Sequence, residues 1–186
     1  MPISNVSSVA ISSIRRFLDL GATQTLIHAF ISSRLDYCNS LLTALPSCEL
    51  DRLQRAQNVA TRILTFTRRH EHIRPVLYSL HRLPVSARIE FKVVTMTFKC
   101  LHSMVPEYVT ELLDRSLPVL CSAMELRLCE RRANLKSVGG RSFSIMNPKL
   151  FNSLPNDLRE TLSLTTFKSK LKMILFHKFY RDIMVD

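Results

Sequence analysis

The acidic residues are the first place to look for metal chemistry, because two-metal phosphoryl-transfer sites need carboxylates close together. The aspartates of this chain are Asp19, Asp36, Asp51, Asp114, Asp157, Asp182 and Asp186. They are scattered, and no two of them are adjacent. Most fall at predicted helix ends or turns, where capping the helix is the simpler role. The sequence predicts no metal-binding pair of carboxylates.

Cysteine and histidine side chains could bind zinc or act as nucleophiles. The residues available are His70, His72, His81, Cys100, His102 and Cys121. Cys100 and His102 are two positions apart, but no second pair at zinc-finger spacing accompanies them. The chain also lacks a G-x-S-x-G elbow, a phosphate-binding loop and a dinucleotide fingerprint. We therefore predict a binding protein, not an enzyme, with no catalytic residue, metal, cofactor or small-molecule substrate.

Two groups of arginines have the residue type and spacing of phosphate-binding side chains. The first group lies on the polar face of a predicted amphipathic helix and continues just beyond its end. The second lies in a looser segment near Phe143, where it could clamp or stack on a single strand. The candidate nucleic-acid-binding residues are Arg52, Arg55, Arg62, Arg68, Arg69, Arg127, Arg131, Arg132 and Arg141. A solvated helix face would show the same spacing without any ligand.

The overall charge favours a polyanionic partner. Lys and Arg number 26 against 15 Asp and Glu, which gives a formal net charge of +11. Such an excess attracts nucleic acid at long range, although solubility or an acidic protein partner would also account for it. Hydrophobic residues make up 46% of the chain, enough to form a folded core.

The elements that carry these residues are predicted to be helices. With only three glycines and no tryptophan, the chain has few tight turns, which disfavours a β-sandwich. Apolar spacing predicts helices over Ser4–Leu20, Thr23–Leu45, Cys48–Phe66, Ile73–His81, from Pro84 onward, Pro106–Leu113 and Leu164–Arg181. Gly21 is placed just after the first helix and Ser47 at the N-cap of the third.

The predicted fold is mainly α and bundle-like. Residues 1–114 are expected to form a helical domain, and residues 115–155 an irregular basic segment. Leu126, Leu128 and Leu135 allow at most one short hairpin in that segment. Residues 156–186 are expected to supply a C-terminal helix that packs on the same domain.

The cysteine pattern and the N-terminus indicate an intracellular protein. The five cysteines are odd in number and include no C-x-x-C pair, which is typical of a reducing compartment. The first residues lack the features of a signal peptide. No apolar run approaches the roughly 20 residues that a membrane span needs. We predict a nuclear or cytoplasmic protein that is neither secreted nor bound to a membrane.

Several strings of the chain resemble, in order, a stretch that follows the polymerase core in reverse transcriptases of LINE-type (non-LTR) retrotransposons, of the jockey and chicken-repeat kind. The strings are Ser33–Leu42, Asp51–Asn58, His72–Leu77, His81–Val85, Arg88–Lys92, Thr97–His102, Gly140–Phe143, Leu150–Pro155 and Phe167–Lys172. Together they span nearly the whole chain.

The resemblance implies a part of that enzyme that performs no catalysis. Members of the family carry an endonuclease and a polymerase with an Asp-Asp metal site, both upstream of the stretch that this chain resembles. No catalytic residue is therefore transferred to this chain. The resemblance implies a C-terminal segment that contributes RNA or target-DNA binding and has the upstream polymerase domain as a further partner.

Two alternatives remain open at the level of sequence. The chain could be a structural scaffold that packs on the polymerase or on another subunit, which its apolar content supports. It could also be a decayed relic without independent function. The family usually has Trp where Arg82 and Phe151 stand here, and Asp where Gly140 stands, and these departures favour the relic.

Overall fold

A computed structural model of the chain describes residues 10–37, 39–43, 45–114, 127–130 and 142–183. Every regular element within these ranges is helical, which confirms the mainly α fold class. The hairpin predicted around Leu126, Leu128 and Leu135 lies mostly outside the described residues. The described stretch 127–130 has no regular structure.

The helices follow one another with short connections. They are α1 (Leu20–Ile27), α2 (Ser33–Asp36), α3 (Ser47–Thr65), α4 (Ile73–Ser79), α5 (Val85–Leu101), α6 (Glu107–Asp114), α7 (Phe143–Asn152), α8 (Asn156–Arg159) and α9 (Leu164–Tyr180). A π-helix, His28–Ser32, joins α1 to α2. Short 3-10 turns cover Arg15–Phe17, Asn39–Leu42 and Arg181–Ile183. None of the described helices has both the length and the apolar content of a membrane span.

Five predicted helices match the structure to within about two residues at every end for which a bound was predicted, the usual uncertainty of helix bounds. They are α3, α4, α5, α6 and α9. The central burial predicted for α5 is also confirmed, since Val93, Val94 and Phe98 are buried on it. An element with apolar residues on most sides can satisfy them only in the interior.

The N-terminal helices differ from the prediction. Residues 10–14 are helical, but the chain leaves the helix through the turn Arg15–Phe17. Asp19 then caps a new helix, because its carboxylate accepts a hydrogen bond from the Ala22 amide at 3.1 Å. Gly21 is consequently the second residue of α1 and not the C-cap residue that we predicted.

The helix predicted over Thr23–Leu45 is also interrupted. Helical structure ends at Asp36, and Tyr37 is extended. At that end the Asp36 carboxylate pairs with Arg88. The N-cap of α3 is Pro46, and Ser47 is already helical, so that capping prediction was wrong.

The segment predicted as irregular, 115–155, contains a helix. α7 runs from Phe143 to Asn152 with Pro148 inside it. Proline removes one backbone donor and was taken as a helix breaker. Asn147, Pro148 and Phe151 are all buried, and this burial outweighs the missing hydrogen bond. Residues 115–126 and 131–141 lie outside the described ranges.

The chain divides into two compact units. The first unit comprises Met1–Asn39, Pro46–Arg88 and Lys178–Asp186. Its core contains Ile11, Ile27, Ile31, Ala60 and Leu64, with Leu35, Ile63 and Leu80 packed against it. This core joins the start of the chain to the inner face of α3.

The second unit comprises Ser40–Leu45 and Ile89–His177. Phe98 and Phe167 stack with their ring centroids 4.1 Å apart, and α6 packs against α7. Phe151, which stands where the resembled family has tryptophan, is fully buried. Phenylalanine therefore still supplies an aromatic side chain to this interior.

Arg82, at the other position where that family has tryptophan, is half-buried in the first unit. Burial lowers the pKa of its guanidinium, and the nearby charge of Arg88 lowers it further. The Arg82 carbonyl accepts a hydrogen bond from the Tyr180 hydroxyl at 2.6 Å. The backbone at this position is thus fixed by a partner from the end of α9.

Candidate nucleic-acid interface

The loop that follows α3 is folded back by Arg62. The Arg62 guanidinium donates to the carbonyls of Arg68 and Glu71, the second at 2.8 Å. α3 ends at Thr65, and Phe66 adopts a left-handed conformation with φ 56°. This conformation turns the chain sharply, and Arg62 then holds the loop close to the helix end.

Arg15 closes the same end of α3 from the other side. Its Nε donates to the Ile63 carbonyl at 3.2 Å and its Nη2 to the Leu64 carbonyl at 3.3 Å. Its Nη1 donates to the Leu18 carbonyl at 3.0 Å. The guanidinium also lies over the Phe66 ring, 4.2 Å from the centroid. The last carbonyls of a helix lack partners within it, and a cation placed there stabilises them.

These side chains surround a cleft of about 320 Å³, which we call the arginine cleft. It is lined by Ser12, Arg15, Arg16, Arg62, Ile63, Phe66 and Thr67. Among the described residues that form its walls there is no carboxylate. Phe66 is 66% exposed, which is high for a large aromatic side chain. The cleft thus combines three positive charges with an aromatic face open to solvent.

Arg68 and Arg69 are exposed in the loop beyond this cleft. Together with Arg62 they form the part of the predicted arginine track that the structure brings to one end of α3. Because Arg62 is bound to its own loop, we expect its charge to act on a ligand more than its hydrogen bonds do.

Arg52 and Arg55 lie on the N-terminal half of α3, about 15 Å and about 10 Å along the axis from Arg62. Both are exposed. Arg52 pairs with Glu49 at 3.1 Å, and the Arg55 Nε donates to the Asp51 carbonyl at 3.4 Å. An exposed pair of this kind is weak and can exchange for a phosphate. These two arginines could therefore extend the path of a bound nucleic-acid strand along α3, but they do not line the cleft.

The second predicted arginine group is only partly placed. Arg127 is exposed, whereas Arg131, Arg132 and Arg141 lie outside the described residues. The stretch 127–130 is held against α7 by Asn152, which accepts from the Leu128 amide at 2.9 Å and donates to its carbonyl at 2.8 Å. This anchor fixes Arg127 on the second unit, but the clamp predicted from the whole group stays a prediction.

Sequence reasoning missed Arg15, Arg16 and Phe66 as members of the site. The two arginines occur in a helix-like stretch, where basic residues are ordinarily assigned to solvent. The aromatic residue offered a weak signal, since it directly follows the last helical turn of α3. What the pattern could not show is that a segment almost fifty residues earlier in the sequence packs against that turn.

The described residues contain no group of three or more His, Cys, Asp or Glu side chains that could hold a metal ion. Comparisons of the chain with protein-family models, with curated proteins and with solved structures found no match.

Proposed function

We propose that this chain is a non-catalytic, α-helical segment that binds RNA or target DNA through its phosphates, of the kind that follows the polymerase in non-LTR retrotransposon reverse transcriptases. The observation that carries the proposal is the arginine cleft, with Arg15, Arg16 and Arg62 beside the exposed ring of Phe66. The order of the family-like strings along the sequence supports the assignment. Its place of action would be intracellular, in the nucleus or the cytoplasm.

The chemistry of the cleft suits a nucleic-acid strand better than a compact anion. Phosphates along a strand would meet Arg16 at the cleft and Arg68 and Arg69 in the adjoining loop. An exposed aromatic ring next to such a track offers a stacking surface for one base of a single strand. Contacts of these two kinds fix the strand without reading its sequence.

The test is the salt dependence of binding to a fluorescently labelled single-stranded RNA, measured by anisotropy. Neutralising phosphates releases counterions, so the logarithm of the binding constant should fall linearly with the logarithm of the salt concentration. The double variant R68A/R69A should bind more weakly and reduce the slope by about 0.7 for each arginine removed, the value for a single strand.

The control removes the same charge from another surface. Lys170 and Lys172 are exposed on α9, and K170A/K172A should leave both affinity and slope close to those of the unchanged protein. Equal losses in the two double variants would show that only net charge matters. Binding that ignores salt, or that is absent below micromolar protein, contradicts the proposal.

Phe66 provides a separate test of base stacking. Glycine adopts a left-handed conformation without steric cost, so Phe66→Gly should keep the turn after α3. Loss of one stacked base, worth ~1–3 kcal/mol, should weaken single-strand binding roughly tenfold. Duplex binding, measured in the same titration, should change much less because its bases are already stacked. Equal effects on both nucleic acids would argue against a stacking role.

A scaffold function is the second candidate, and a different observation favours it. Phe17, Leu20 and Tyr37 are 80%, 61% and 80% exposed in the first unit. Exposed apolar side chains in such numbers are typical of surfaces that another protein covers. On this hypothesis the isolated chain self-associates, and a monodisperse monomer in light scattering counts against it.

A further inference from the structure

The first unit contains a second cleft, which we call the Asp51 cleft. Its volume is about 440 Å³, within the range of roughly 300–1,000 Å³ for small-ligand pockets. The apolar part of its lining is Leu50, Ile73, Leu77, Pro84 and Phe179. Asp51, Gln54, Asn58 and Arg74 supply polar groups to the same lining. A flat, mostly apolar ligand with polar edges fits such a lining.

Three of the polar residues share one face of α3. Asp51, Gln54 and Asn58 are spaced three and four residues apart, which places them one above another on the helix. The Gln54 amide is occupied, because its Nε2 donates to Asn58 Oδ1 at 2.8 Å and its Oε1 accepts from the Val85 amide at 2.8 Å. This arrangement fixes Asn58 with its oxygen bonded and leaves its Nδ2 hydrogens as donors to a ligand.

Two charged groups complete the lining. Within the described part of the chain, the Asp51 carboxylate takes part in no ion pair or side-chain hydrogen bond. Arg74 is fixed by a hydrogen bond from Nη2 to the Phe179 carbonyl at 2.9 Å and by an ion pair with Asp182 at 3.5 Å. Its side chain is 55% exposed, so its remaining nitrogens can reach a ligand phosphate.

We propose that the Asp51 cleft binds the guanine base of a nucleotide within a bound strand. The Asp51 carboxylate would accept from the N1–H and N2–H₂ donors of the base. Arg74 would bind the adjoining phosphate, and the ring would lie against Pro84 and Phe179. The inference rests on the proposed function, because the cleft would take a base from a strand that the arginines hold.

The carboxylate is the element that selects guanine. Guanine is the base whose Watson–Crick edge presents two neighbouring donors, which match the two oxygens of one carboxylate. Adenine and cytosine each place an acceptor beside their amino group, and that acceptor would face the negative charge. Uracil offers a single donor. Unpaired bases are commonly recognised on this edge, with an aromatic or apolar surface against the ring.

The experiment is a calorimetric titration of the full chain with guanosine, inosine and adenosine 5′-monophosphates. Guanosine monophosphate should bind at least about tenfold more tightly than the adenosine compound, a difference that bidentate base contacts can supply. The inosine compound lacks only the N2 amino group and should lose most of that preference. Equal affinities for all three, or no saturable binding of the guanine nucleotide, overturn the inference.

Matched variants assign the effect to the cleft. Asp51→Asn should remove the preference for guanine. Glu49→Gln removes the same charge from the same helix, outside the cleft lining, and should retain the preference. Loss of the preference in both variants would contradict the assignment to Asp51.

The result is also separable from the test of the proposed function. Salt-dependent strand binding without guanine preference contradicts the proposed guanine site and leaves the proposed function intact. Guanine binding without strand binding supports the cleft and contradicts the proposed function.

Discussion

Burying an arginine is costly unless its hydrogens find acceptors. Arg15 is 8% exposed, and three of its nitrogens donate to backbone carbonyls, two of them at the last turn of α3. Those carbonyls carry the partial negative charge of a helix C-terminus, so the cation and the helix end compensate each other. Arg16 at the adjoining cleft and Arg68 and Arg69 in the loop beyond it are exposed, whereas Arg15 is buried.

Tyr180 gives a prediction about stability at alkaline pH. Burial raises the pKa of Tyr180 to about 12, although the charge of Arg74 acts in the opposite direction. In the unfolded chain its pKa is about 10. Because the folded pKa is the higher one, the stabilisation from Tyr180 is fully present below pH ~10 and is lost as the pH rises through about 12. Across that window the unchanged protein should lose more unfolding free energy than Y180F does.

Urea unfolding of both proteins at neutral pH and across this alkaline window measures the effect. At neutral pH Y180F should be less stable by about 1 kcal/mol, because the Arg82 carbonyl loses its donor. Lysines and the other tyrosines titrate in both proteins, so their contribution cancels in the difference. Parallel pH curves would show that the Tyr180 hydroxyl has no linked effect.

At the scale of single residues, the sequence indicated which arginines could act together but not which other residues pack beside them. Arg62, Arg68 and Arg69 were predicted to act together, and they do lie at one end of α3. Gln57 is polar, but counting about 100° per residue places it between Leu50 and Leu64 on the apolar side of α3, and it is 3% exposed. It donates to the Leu83 carbonyl at 2.8 Å, a partner in a loop that helical periodicity does not reveal.

The π-helix between α1 and α2 is an element with an identifiable cause. The Ser33 amide donates to the His28 carbonyl, five residues back. The Ala29 carbonyl, which an α-helix would pair with that amide, accepts from the Ser33 hydroxyl instead. The wider turn accommodates one additional residue while Ile27 and Ile31 stay in the same core.

Deleting Ala29 should therefore convert the π-helix into α-helix. The hydrogen bond between Ser33 and His28 would then span four residues, as in an α-helix, and could persist unchanged. Ile27 and Ile31 would be three residues apart and would still share a face. Helical content should be retained, and the unfolding free energy should change by less than about 1 kcal/mol, which is small for a point change.

The control is deletion of Val59 from the regular helix α3. It rotates the following residues by about 100° and moves Ala60 and Leu64 away from the core. Circular dichroism melts of the two deletion proteins should differ strongly, with the α3 deletion much less stable. If both deletions are equally harmful, the π-helix is not a removable insertion.

Helices were predicted correctly where the apolar spacing was uninterrupted. They were predicted wrongly where a glycine or a proline was taken as a helix end but lies inside a helix. The long amphipathic pattern of α3 left little choice of structure. Gly21 was taken as a helix end, but Asp19, two residues earlier, supplies a cap that starts a helix there. Pro148 was taken as a breaker, although the buried face of α7 holds the helix together around it.

At the scale of the whole molecule, the chain returns at its end to the unit in which it began. Lys178–Asp186 belongs to the first unit although α9 starts in the second. Tyr180 is 2% exposed, and its ring meets that of Tyr78 edge-on with the centroids 5.7 Å apart. No sequence pattern indicated which residues at the end of α9 make this contact. A pairing between positions about a hundred residues apart leaves no periodic signal.

A chain ending at His177 should consequently lose stability in the first unit, out of proportion to the few residues removed. It lacks the Tyr180 hydrogen bond to the Arg82 carbonyl and the carbonyl of Phe179 that Arg74 binds. Removal of one buried aromatic side chain alone costs ~3–5 kcal/mol.

A chain ending at Ile183 retains all these contacts and serves as the control in circular dichroism melts. Equal melting temperatures for the two shortened chains would show that the first unit is complete without the end of α9. A lower, still cooperative transition for the shorter chain alone would show that the last residues of α9 are part of the first unit's fold.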